Sequence, residues 1–102
     1  MNNAVATNSE GVILVTIKEK LGILNSIEIV DYDADGSTLY HAVVENTFGN
    51  QQKLKAIGIT DDEIEGAFDE EGNIDIKDFA FERCGAKWFH EDFGGFIDYI
   101  PK

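Results

Sequence analysis

Three aspartates at alternate positions, Asp31, Asp33 and Asp35, followed by Gly36, reproduce the first half of a calcium-binding loop. In such a loop, carboxylates converge on a hard cation and the glycine permits a sharp turn. The second half is missing: Ala42 stands where a bidentate Glu would be needed, and no clear helices flank the segment. Asp and Gly also favour ordinary turns for backbone reasons. The segment therefore reads as an acidic hairpin turn, with a weak Ca2+ site at Asp31, Asp33 and Asp35 as the functional alternative. The run from Glu70 to Asp78 echoes the latter half of the same loop, but Ala67 and Phe68 occupy its opening positions, so it reads as a turn.

Nucleophilic chemistry has little to draw on. Cys84 and His90 are the natural pair, yet a thiolate needs a positioned imidazole and a group to orient it, and structural zinc needs four ligands. One cysteine and two histidines do not supply them. Cys84 reads as a small buried residue, His90 as half-exposed, and no recognised motif surrounds His41. Gly94-Gly95 lacks the Lys-Ser/Thr of a phosphate cradle. The chain is expected not to be an enzyme and to need no cofactor.

Charge says more. Twenty acidic residues against eight basic ones give a formal charge of -12 over 102 residues. Nine of the acids fall between positions 60 and 78, opposed only by Lys77, so two thirds of the net charge lies in that stretch. Phosphate backbones and anionic membranes are held by Lys and Arg clusters, which are absent, so direct nucleic-acid and membrane binding are disfavoured. A basic protein is the favoured partner. Carboxylates at Asp61, Asp62, Glu65, Asp69, Glu70 and Glu71 can copy a phosphate pattern, and Trp88 and Phe93, from an aromatic-rich C-terminal third, can anchor the contact. Two functions fit: an immunity protein for a nucleic-acid-degrading toxin, or a DNA mimic that blocks a nuclease or DNA-binding enzyme. The plain alternative is acidity for solubility alone. A second class is a small cation-responsive or ligand-binding domain built on the Asp31–Asp35 turn.

These residues need elements to hold them. Gly11 to Ile17 is a β-branched run and predicts a buried strand, with Lys18 to Asn25 as a connection. Ile27 to Tyr32 and Thr38 to Val44, joined by Asp33-Ala34-Asp35-Gly36, predict a hairpin. Gln51 to Ile57 predicts a short helix capped by Gly58. Thr60-Asp61-Asp62-Glu63 matches the capping box, flanked by the staple pair Ile59 and Ile64, and predicts a helix from Asp61 to Phe68. Glu71-Gly72-Asn73 predicts a turn, and Ile74, Ile76, Phe79 and Phe81 predict strand with a bulge after Ile76. Trp88-Phe89-His90 and Phe96 to Ile100 complete the pattern. The expected class is α+β, with a mainly antiparallel sheet and one or two short helices in the middle of the chain.

At 102 residues, with 43% apolar content, the chain is expected to form one acidic domain over residues 10–102, preceded by a disordered segment over residues 1–9. The first residues lack the basic start and apolar run of a signal peptide, and no run is long enough for a membrane helix, so a soluble chain is expected. A lone cysteine requires no oxidising compartment. The cytoplasm is the expected location.

Overall fold

The computed structural model describes residues 6–7, 13–14, 16–35 and 38–101. Among them the class is α+β with antiparallel sheet, as the sequence predicts. Ala6–Thr7 (β1) pairs with Ile13–Leu14 (β2). The expectation of disorder over residues 1–9 otherwise lies outside the described residues, as do positions 11, 12 and 15 of the first predicted strand.

The end of that predicted strand is helical. Thr16 is the N-cap of helix α1, Ile17–Asn25, so residues 18–25 are not the connection the sequence suggests. Thr16 and Glu19 form a reciprocal capping box: the Thr16 hydroxyl accepts from the Glu19 N–H, and the Glu19 carboxylate accepts from the Thr16 N–H. Exposed Gly22 costs the helix about 1 kcal/mol relative to Ala. Burial of Leu21 and Leu24 on the opposite side offsets that cost.

The predicted hairpin forms. Ile29–Asp35 (β3) pairs antiparallel with Thr38–Val44 (β4). Asp33, Ala34 and Asp35 are strand residues rather than the predicted turn, and Gly36 lies outside the described residues. Phe48–Ala56 (α2) starts three residues before Gln51 because Thr47 caps it, its hydroxyl accepting from the Asn50 N–H. Gly58 follows with φ +95°, the left-handed conformation glycine adopts without strain. Asp61–Gly66 (α3) carries the predicted capping box between Thr60 and Glu63, with Ile59 and Ile64 both buried. It ends before Phe68, which instead bridges to Ile74.

Ile74–Asp75 (β5) adds to the free side of β4, giving the order β3-β4-β5. Beyond it the predicted strand is wrong. Phe79 and Phe81 lie on helix α4, Lys77–Arg83, so the described residues hold four helices, not one or two in the middle. The three-residue step from Ile76 to Phe79 is a helical period rather than a bulge. Ile76, Phe79, Ala80 and Cys84 follow an i, i+3, i+4, i+8 pattern and are all buried. Asp75 helps turn the chain into the helix, its Oδ1 accepting from the Lys77 N–H at 3.0 Å. Trp88–His90 (β6) and Gly95–Ile97 (β7) form the last hairpin, pairing Phe89 with Phe96.

Helices α1 to α4 and the inner faces of the β3-β4-β5 and β6-β7 sheets share one apolar core. Phe96 contacts Phe81 and Phe89 edge-on, with ring centroids 5.6 and 5.2 Å apart. Tyr32 lies 4.9 Å from Phe89, which ties the long hairpin to the short one. Its hydroxyl donates to Glu91, and that bond, aided by partial desolvation and the nearby carboxylates of Glu91 and Asp92, raises the phenol's pKa. Cys84 is fully buried, which pushes its thiol up as well.

The only arginine is a structural clamp. Arg83 donates from Nη2 to the Gly58 carbonyl at 2.9 Å and from Nη1 to Glu63, so it fastens α4 to the junction between α2 and α3. Glu63 also accepts from the Thr60 N–H; that bond first, and Arg83 next, hold its carboxyl below the ordinary Glu value. A carboxyl with a lowered folded-state pKa stabilises the fold above its unfolded value and loses that effect as pH falls through the folded one. In thermal melts taken from neutral pH to about pH 3, the wild type is therefore expected to lose more than Glu63→Gln, and the gap between them to narrow on acidification.

Candidate functional site

Alternation along β4 separates core from surface. Ala42 and Val44 point into the core, so Val43 and His41 face the other way. Val43 is opposite Asp31 on β3 and Asp75 on β5, and His41 is opposite Asp33. The outer face of the sheet therefore carries carboxylates on both sides of its central strand.

A tight turn brings more. Asp69 Oδ1 accepts from the N–H groups of Glu71 and Asn73 at 2.8 and 2.9 Å, while the Asp69 N–H donates to the Asn73 carbonyl at 2.8 Å. Gly72 completes the turn with φ +81°. This local network holds Glu70 and Glu71 beside the sheet. The result is an open groove of about 420 Å³ lined by Asp31, His41, Val43, Asp69, Glu70, Glu71 and Asp75. A neighbouring hollow of about 320 Å³ shares Asp69 and Asp75 and adds Asp78, with Ala67, Phe68 and Phe79 as its apolar lining. Phe68 is 41% exposed there, an aromatic surface set among carboxylates.

The electrostatics are one-sided. Among the described residues, Lys55 pairs with Asp61 at 2.8 Å, Lys77 with Asp78 at 3.7 Å and Arg83 with Glu63, and none of these pairs lines the groove. The one group there able to carry a positive charge is His41, whose Nε2 lies 3.4 Å from Asp31 Oδ2. Five carboxylates thus face an open groove without a Lys or Arg beside them.

The sequence-predicted residues distribute unevenly over this site. Asp69, Glu70 and Glu71 line the groove, and they are joined by Asp31, which the sequence assigned to a separate cation turn. Asp33 and Asp35 are exposed on β3 but do not line it. Residues two apart on a strand stand about 7 Å apart, an arrangement that spreads the three aspartates along β3 instead of wrapping them round an ion. Among the described residues, no three His, Cys, Asp or Glu side chains come together to hold a metal. Asp62 and Glu65 are exposed on α3, outside both hollows, and Asp61 is engaged by Lys55.

The two aromatic anchors are elsewhere. Trp88 is half-buried beside Leu39 and Phe81 under the hairpin, whereas Phe93 is 60% exposed beside Tyr99 and Leu21. Neither lines the acidic groove. Sequence reasoning assigned no role to His41 and did not single out Val43, Phe68 or Asp75 as site residues; alternation along β4 was the available signal for the first two. His90 is half-exposed and its Nδ1 accepts from the Phe93 N–H at 3.2 Å, a cap for the turn between β6 and β7.

No family model, curated protein or solved structure matches this chain. Among the described residues, no helix is long and apolar enough to cross a membrane.

Proposed function

We propose that the protein binds a basic protein through the groove on the outer face of β3-β4-β5, covering a surface that would otherwise meet a nucleic acid. The observation that carries this reading is the set of five carboxylates, Asp31, Asp69, Glu70, Glu71 and Asp75, around one open groove with no Lys or Arg paired to them. Fixed charges of one sign in a concave surface focus the field and speed encounter with an oppositely charged partner. The Asp69 turn and the sheet register hold these groups in place before binding, which lowers the ordering cost of association. Phe68, 41% exposed beside the groove, offers apolar contact to the aliphatic stems of Lys and Arg, whose heads would meet the carboxylates. An immunity protein for a nuclease toxin, or a DNA mimic acting on a nuclease or other DNA-binding enzyme in the cytoplasm, fits this chemistry.

The test is a tagged pull-down from the source cell at low and high salt, repeated with two variants. One neutralises the groove (Asp31→Asn, Asp69→Asn, Glu70→Gln, Glu71→Gln, Asp75→Asn), with amide oxygens retained at positions 69 and 75 to preserve the turn bonds. The other neutralises α3 (Asp61→Asn, Asp62→Asn, Glu65→Gln). A basic nuclease or DNA-binding enzyme is expected to be retained at low salt and released at high salt. The groove variant should weaken its capture at least about tenfold, and the α3 variant by far less. Capture lost with α3 and kept without the groove would move the interface. A clean eluate at both salts would leave the acidity as solvation. Calcium added to the wild type serves as the control for the cation reading: saturable heat lost in an Asp31→Asn/Asp33→Asn/Asp35→Asn variant would favour that reading.

A further inference from the structure

Strand β3 lies at an edge of its sheet: among the described residues it pairs with β4 alone, on one side. Such a strand leaves the outward half of its N–H and C=O groups without a strand partner. This edge is seven residues long, and Val30, Asp31, Tyr32, Asp33 and Asp35 are exposed along it. The register slips at Val30, an extra residue on β3, and again between Asp33 and Ala34, where Tyr40 is the extra residue on β4; Asp31 to Asp33 run in step with β4, and β3 itself keeps its alternation from Asp31 to Asp35.

We infer that β3 accepts an extended basic segment of the partner as an added strand, with Lys or Arg at alternate positions facing Asp31, Asp33 and Asp35. The backbone edge supplies hydrogen bonds to any extended chain, and the charges choose among chains. A second copy of this protein paired through β3 would set these aspartates against one another, and like charges across a ladder destabilise it. A basic strand makes the opposite contact at each of the three positions. On the other face Tyr32 is 41% exposed, although its ring packs on Phe89, and it gives an intervening apolar residue of the added strand a surface to cover. Asp31 lines the acidic groove as well, so a segment on this edge leads directly into it.

This inference rests on the reading of a basic partner and adds how part of that partner is held. The experiment is amide hydrogen exchange on the full chain with a synthetic probe, an acetylated peptide of alternating Lys and Thr as long as β3. A second probe has the same sequence with alternate backbone nitrogens methylated, which keeps every charge and removes half of its N–H groups. With the first probe, the outward amides of residues 31–35 are expected to slow at least about tenfold. The methylated probe should leave them unprotected, and Asp31→Asn/Asp33→Asn/Asp35→Asn should weaken the first probe about tenfold. Equal binding of both probes without protection of β3 would overturn strand addition and leave the groove reading standing. Failure of both probes to bind at millimolar concentration would also overturn strand addition. Protection that rises with protein concentration alone would show self-pairing and overturn the choice of a basic occupant. The groove reading fails separately, if partner capture survives neutralisation of Asp69, Glu70, Glu71 and Asp75.

Discussion

Phe96→Ala is expected to destabilise the fold by about 3–5 kcal/mol, read as a lower urea midpoint with the denaturant slope unchanged. Phe96 is 1% exposed and is the largest of the fully buried side chains. Its ring meets Phe81 from α4 and Phe89 from β6, so truncation leaves a cavity where a helix and a hairpin meet. Phe89 cannot close that space freely, because it is also held against Tyr32. A domain of this size has only about 5–15 kcal/mol of stability, and the loss is a large share of it. Phe96→Leu keeps most of the volume and should cost less than half as much. Equal losses for Ala and Leu would show that the site depends on ring contacts rather than on filled volume.

Asn25→Ala should cost about 2–3 kcal/mol, more than its partial exposure suggests. From the end of α1 its side chain behaves like a piece of backbone toward β7. Nδ2 donates to the Phe96 carbonyl at 2.7 Å, and Oδ1 accepts from the Phe96 N–H at 2.8 Å. Truncation therefore leaves a donor and an acceptor of β7 unmatched at once. Asn25→Asp provides the sharper comparison. Its carboxylate still accepts from the N–H but sets negative charge against the carbonyl oxygen, so its cost should fall as acid protonates it. Gly95 belongs to the same contact, since a Cβ at this position would lie 2.7 Å from Asn25 Oδ1. Gly95→Ala is thus expected to cost less in the Asn25→Ala background than in the wild type, a coupling that a double-mutant cycle measures in denaturant melts.

Local chemistry decided what could be read from the sequence. Helix α3 was legible because Thr60 and Glu63 satisfy each other's backbone within four residues, whatever the rest of the chain does. Helix α1 begins with the same device, Thr16 and Glu19, but the β-branched run Gly11 to Ile17, read as one strand, ran across the cap and into the helix's first residue. At α4 the fault was one of period: Ile74, Ile76, Phe79 and Phe81 suit a strand when taken in pairs, and the buried Ala80 and Cys84 needed for a helical stripe are small and inconspicuous. The groove was half legible. Density of charge singled out Asp69 to Glu71, and alternate spacing singled out Asp31. That they share one site depends on Val43 pairing with both Asp31 and Asp75, a fact of strand order and register carried by no local motif.

The alternation of β4 also restricts how such a protein can change through descent. Ala42 and Val44 serve the core while His41 and Val43 serve the groove. Gain or loss of one codon between them would exchange the two sets and present the lineage with a polar interior and an apolar exterior together. Substitutions on the outer face escape that constraint. A lineage can therefore retune what it recognises residue by residue, and homologues should differ at positions 31, 41, 70 and 71 well before they differ in the length of this strand.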